Sequence, residues 1–195
     1  MAQFTKKFFD TIGNWEAGFQ NDSNDKGNYD SKGRLIGTNR GCAAQTVETW
    51  YKKTKGKDLS IVPLKDFVTI MKALTYDDAF NIGKTLFWDA INCDLFKNQS
   101  IAEIIFDWYW ASFAYGTQWL QGVLKAVFNM PVKVDFFLTP EEVNLINNYP
   151  DQKMLFYVIK DERLKYVEYL VKSDPSNRKY ELGWLRRIIS YSYEE

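Results

Sequence analysis

The 195-residue sequence contains no histidine. That absence excludes a His-based nucleophile triad, the usual zinc sites and an imidazole general base together. Cysteine is almost as scarce. Cys42 and Cys93 stand 51 residues apart, a separation that suits no metal site, and both read as small buried hydrophobes. No metal or organic cofactor is expected. Neither sign of charge is in excess, with 25 Lys+Arg against 25 Asp+Glu, so the chain lacks the electrostatic footprint of a nucleic-acid binder. No apolar run approaches the length of a membrane span. The N-terminus reaches Asp10 before an apolar segment forms, so no signal peptide is expected either. Any hydrolytic chemistry must rest on carboxylates, hydroxyls or lysines.

What the chain does have is apolar and aromatic side chains, 46% and 17% of its residues. That is enough to build one large domain or two small ones around real cores. Helical spacing dominates. Phe4, Phe8, Phe9, Ile12 and Trp15 predict an amphipathic helix over residues 3–18. Further helices are predicted after Gly41 as far as Gly56, and after Pro63. Thr75-Tyr-Asp-Asp78, Ser100-Ile-Ala-Glu103 and Thr139-Pro-Glu-Glu142 each have the form of a capping box opening a helix. The segment from Ile101 to Phe113 is apolar on nearly every side and is predicted to form the buried centre, interrupted by Gly116. A long helix follows from Gln152 to about Lys172 and a last one from Tyr180 to Tyr193, on which Arg186 and Arg187 read as a solvated face. The fold class is therefore mainly α. A small loop or β-hairpin patch is expected around residues 21–41, where Tyr29–Asp30 and Arg34–Ile36 flank Ser-Lys-Gly. The softest boundary lies near Asp94–Gln99, dividing the chain into 1–97 and 98–195.

The chemistry concentrates between Trp15 and Gly41. Glu16 falls beside the apolar stripe of the first helix, where partial desolvation would favour the protonated carboxyl. Asp25 follows nine residues later, in a loop rich in Asn, Lys and Gly amides. One carboxyl held neutral and one held ionised is the pair that cleavage of a glycosidic bond requires. Thr38 could add a hydroxyl that orients water. The same residues also fit a plainer description, a solvated acid at a helix end and an Asp serving a turn.

Several motifs resemble those of the glycoside hydrolase family 108 N-acetylmuramidases, lysozyme-like proteins of phages and bacteria. Trp15-Glu-Ala-Gly-Phe-Gln-Asn-Asp is similar to that family's Glu-Gly-Gly-Tyr-x-Asn-Asp signature. Asp25-Lys-Gly-Asn is similar to its Asp-x-Gly-Gly, and Thr38-Asn-Arg-Gly-Cys to its Thr-Asn-x-Gly-Ile. Leu74-Thr-Tyr-Asp-Asp-Ala and Phe87-Trp-Asp resemble two further motifs. From Gln99 through Asp107-Trp, Gly116 and Leu120-Gln to Gly183-Trp-Leu-x-Arg187, the second half resembles the peptidoglycan-binding domain predicted to accompany that enzyme. Ala17 and Asn28 replace glycines of the family pattern, Cys42 replaces an Ile or Val, and Asp135-Phe-Phe-Leu-Thr lacks the usual Asp-Gly-x-x-Gly turn.

The resemblance implies a lysozyme-like fold, with residues 1–97 catalytic and 98–195 binding peptidoglycan. It implies that Glu16 is the catalytic acid. The order Glu, Asp, Thr also resembles the T4-type phage lysozymes, which brings in Asp25 and Thr38 as the groups that hold water. Trp15, Phe19, Asn21 and Asn39, set among these motifs, are the candidates for substrate contact. The expected partner is the peptidoglycan glycan strand, acted on by a monomer made in the cytoplasm and reaching the wall after release or export. The rival expectation is a non-catalytic cell-wall-binding or secretion-accessory module that keeps the fold. A helical protein-interaction domain is a third.

Overall fold

The computed structural model describes residues 1–13 and 18–195. The chain forms two compact units, Thr5–Leu86 and Met1–Phe4 with Phe87–Glu195.

In the N-terminal unit, α1 (Lys6–Gly13) buries Phe8, Phe9 and Ile12 along one face. It starts at Lys6 rather than at residue 3 because Thr5 receives the first backbone amides, Phe8 N on Oγ1 and Phe9 N on its carbonyl. α2 (Ala44–Lys55) ends where Gly56 takes φ +61°, a conformation that costs an L side chain energy and glycine almost nothing. α3 (Leu64–Lys72) follows Pro63. α4 (Tyr76–Ile82) opens on the capping box read from the sequence, Thr75 accepting from Asp78 N while Asp78 accepts from Thr75 N.

From Gly18 to α2 the described chain is mostly loop, held by the antiparallel bridges Gln20–Thr38, Tyr29–Leu35 and Asn39–Cys42. The expected hairpin is there as one bridge. Its Ser-Lys-Gly turn is organised by the buried Asp30, whose Oδ1 accepts from Lys32 N and Arg34 N and whose Oδ2 accepts from Arg34 Nε. Arg34 then donates to the carbonyls of Val62 and Leu59, so the turn is tied to the segment leading into α3.

In the C-terminal unit, α5 (Gln99–Ser112) is buried on almost every side, as its composition predicts. Two expectations about it are corrected. Its cap is Asn98, whose side chain accepts from Ile101 N; Ser100 Oγ instead accepts from Glu194 N. The break after it falls at Phe113, at φ +49°, with Gly116 inside the next helix, α6 (Ala114–Ala126). Gly116 is required for another reason: a Cβ there would stand 2.8 Å from Trp108 Cδ1 and 3.1 Å from the Trp108 carbonyl. α7 (Pro140–Asn147) has the predicted Thr139–Glu142 capping box. α8 (Gln152–Ser173) and α9 (Arg178–Ile189) complete the unit.

Arg187 is not on a solvated face. It is 8% exposed and donates through Nε and Nη2 to Asp107 Oδ1, while Arg163 donates to Oδ2. Burial alone would raise the Asp107 carboxyl, but Arg187 and then Arg163 outweigh it and hold the group below the usual carboxylate range.

The division at Leu86–Phe87 lies upstream of the boundary expected at residue 97. Phe87 packs on Tyr109, Trp110 and Phe113, Trp88 on Phe106, and Asn92 donates to the Leu138 carbonyl. Met1–Phe4 joins them through paired hydrogen bonds between Gln3 and Gln99 and through the Phe4 ring on Trp88. Both cysteines are buried and form no disulfide. Among the described residues no helix is long and apolar enough to cross a membrane.

Candidate active site

The loop from Gly18 to α2 builds a polar site from hydrogen bonds among its own residues. Its spine is the Gln20–Thr38 bridge, with N–O distances of 2.9 and 2.8 Å. The close approach is possible because residue 37 is glycine: at φ +110°, a Cβ on Gly37 would stand 2.6 Å from the Phe19 ring and 2.7 Å from the Gln20 carbonyl. Phe19 therefore lies against the bridge, with Lys72 Nζ 5.1 Å from its ring centroid.

Asp25 is half-buried and both its oxygens accept. Oδ1 accepts from Gly27 N at 2.9 Å and Oδ2 from Gln20 Nε2 at 2.8 Å. Each carboxylate oxygen has lone pairs left for another donor. Thr38 Oγ1 makes no hydrogen bond with another described residue, and it lies on the same side of Gly27 as the Asp25 carboxylate. Both Asp25 Oδ1 and Thr38 Oγ1 lie within 4 Å of where a Gly27 Cβ would be, at 3.2 and 3.9 Å. The loop thus brings together the Asp and the Thr that the sequence pattern singles out, although they are 13 residues apart.

Asn28 is fully buried and was not among the sequence candidates. It donates from Nδ2 to Gln20 Oε1 and to the Asp22 carbonyl, both at 2.8 Å, while its own Oδ1 has no partner among the described residues.

A cavity of about 150 Å³ lies beside α1, with Phe9, Ile12, Asn39, Arg40 and Tyr76 in its wall. Gly13 and Gly18, which flank residues 14–17 in the sequence, line it too. Burial, and then a hydrogen bond to Asp10, push the Tyr76 phenol up to about 12, and its one hydrogen is committed to the Asp10 carboxylate. Asn39 is buried and its Nδ2 donates to the Met71 and Lys72 carbonyls at the end of α3, so its amide holds the wall in place. Arg40, at φ +52°, reaches back to the Leu74 carbonyl. Asn21 is exposed on the loop. Glu16 and Trp15 lie outside the described residues. Among those described, no group of three Cys, Asp or Glu side chains converges as a metal ion would require.

Residues 9–112 match the profile of a family described as glycosyl hydrolase 108. Among solved structures, that of Brucella abortus SagA superposes with a TM-score of 0.65 at 18% sequence identity. The alignment covers 98% of this chain and 99% of that one. At that identity the likeness is one of fold. No curated protein matches.

Proposed function

The chain belongs to the glycosyl hydrolase 108 family, lysozyme-type glycoside hydrolases that degrade peptidoglycan as N-acetylmuramidases, and from that premise we propose how its residues divide the reaction. Glu16 protonates the glycosidic oxygen between N-acetylmuramic acid and N-acetylglucosamine. Asp25, with the Thr38 hydroxyl, holds and activates a water on the opposite face of the sugar. Phe19, Asn21, Asn39 and Trp15 belong to the surface that receives the strand. The pairing of an acid with a water-holding carboxylate leads to inversion, and requires the two carboxyl groups about 6.5–9.5 Å apart.

The observation that carries this reading is the setting of Asp25. Its carboxylate is fixed at both oxygens, keeps free lone pairs and shares a small space with the Thr38 hydroxyl. An Asp that only served a turn would not need a side-chain donor from five residues away.

Residues 98–195 serve, in this reading, to retain the enzyme on peptidoglycan. Tyr115 and Tyr169 are exposed there, and Trp119 lies 5.5 Å from Tyr169; such aromatic faces can stack on sugar rings. The enzyme acts as a monomer, has no nucleic-acid partner, and reaches the wall after release or export from the cytoplasm. The test is Glu16→Gln, assayed by turbidity loss and reducing-end release on purified peptidoglycan. The rate is expected to fall by about 10²–10⁴, and an unchanged rate would overturn the assignment of the acid.

A further inference from the structure

We propose that Gln20 is a positioning residue for Asp25, locked in one orientation by the buried amide of Asn28. The proposal rests on the reading of Asp25 as the group that holds the attacking water.

Gln20 Oε1 receives two hydrogens, from Asn28 Nδ2 at 2.8 Å and from Asp22 N at 2.9 Å. An amide with its oxygen between two donors cannot turn over without setting hydrogens against hydrogens. Its NH₂ is therefore aimed at Asp25 Oδ2, 2.8 Å away. With the Gly27 N–H on Oδ1, the carboxylate is pinned at both ends and its plane is set. The backbone of Gln20 is meanwhile bonded in both directions to Thr38. One residue thus holds the carboxylate by its side chain and the Thr38 backbone by its main chain.

Asn28 is suited to be the lock. Its carbonyl accepts from Ile36 N at 2.9 Å and Gly37 N at 3.0 Å, so its place does not depend on its side chain. Residue 28 is not among the positive-φ positions, so nothing in its backbone calls for the glycine of the family pattern. The side chain that stands there instead reaches Gln20.

Gln20→Glu tests the relay directly. It keeps the shape and both accepted hydrogen bonds, and it replaces the donor to Asp25 with an acceptor. Gln20→Met removes both ends, and decides the matter if Gln20→Glu loses native helicity. On soluble, uncrosslinked glycan strands, reducing-end release should show kcat down about thirty-fold in either variant with KM within about twofold. Combined with Asp25→Asn, either substitution should add no further loss. Wild-type kcat in the Gln20 variants, with kcat of Asp25→Asn down about a hundredfold, would overturn this proposal alone. Wild-type kcat in Asp25→Asn would overturn the reading of Asp25 and the proposal with it. A rise in KM at unchanged kcat, or a loss that persists in the Asp25→Asn background, would make Gln20 a support of loop shape and overturn the positioning role.

Discussion

Asp25 and Asp107 are the same side chain held in opposite ways in the two units. Asp107 is fully buried and both its oxygens are engaged by guanidinium groups, Arg187 on one side and Arg163 on the other. Asp25 is half-buried and held by neutral amides, one backbone and one side chain. A buried charge must be neutralised by partners as strong as itself, and those partners leave no room for a reacting molecule. Neutral donors fix geometry without cancelling charge, so the carboxylate is still able to bind water. The first arrangement joins helices; the second leaves the carboxylate able to accept a further donor.

The comparison predicts a double dissociation. Asp107→Ala leaves two buried guanidiniums uncompensated and should lower unfolding free energy by about 3–5 kcal/mol, measured by urea titration. Its mirror image is Asp25→Asn, which should cut kcat about a hundredfold while its urea midpoint stays near that of the wild type. If Asp25→Asn instead unfolds the protein and Asp107→Ala leaves it intact, the division of roles is wrong.

A smaller effect follows from acid. The folded pKa of Asp107 lies below its ordinary value, so its contribution to stability is fully present above the unfolded pKa of about 3.9. It is lost as pH falls from there through the folded pKa. Helicity followed by circular dichroism should decline over that range in the wild type, and Asp107→Asn should flatten the dependence.

Much of the helical framework was legible because helical periodicity and capping chemistry are local. Thr75 and Thr139 declare their helices, and Gly56 ends one. What was not legible depends on partners distant in the chain. Asn98 rather than Ser100 caps α5, a choice made where Ser100 is engaged by Glu194. The pairing of Arg187 with Asp107 spans 80 residues, and no spacing rule reports it. At the candidate site, Asp25 and Thr38 were singled out by residue type and by the family resemblance. Gln20 and Asn28 were not, because amide side chains in a polar loop serve turns as readily as relays, and their hydrogen bonds to Asp25 and to each other exist only in the folded loop.

The most direct test of the central claim, that Asp25 presents water to the face opposite the acid, is the anomeric configuration of the first product. Proton NMR of short glycan strands during early digestion should show the new N-acetylmuramic acid reducing end formed as the α-anomer, inverted from the β-linkage, and relaxing later by mutarotation. A β-anomer appearing first would mean retention, place Asp25 in a different role and contradict the account.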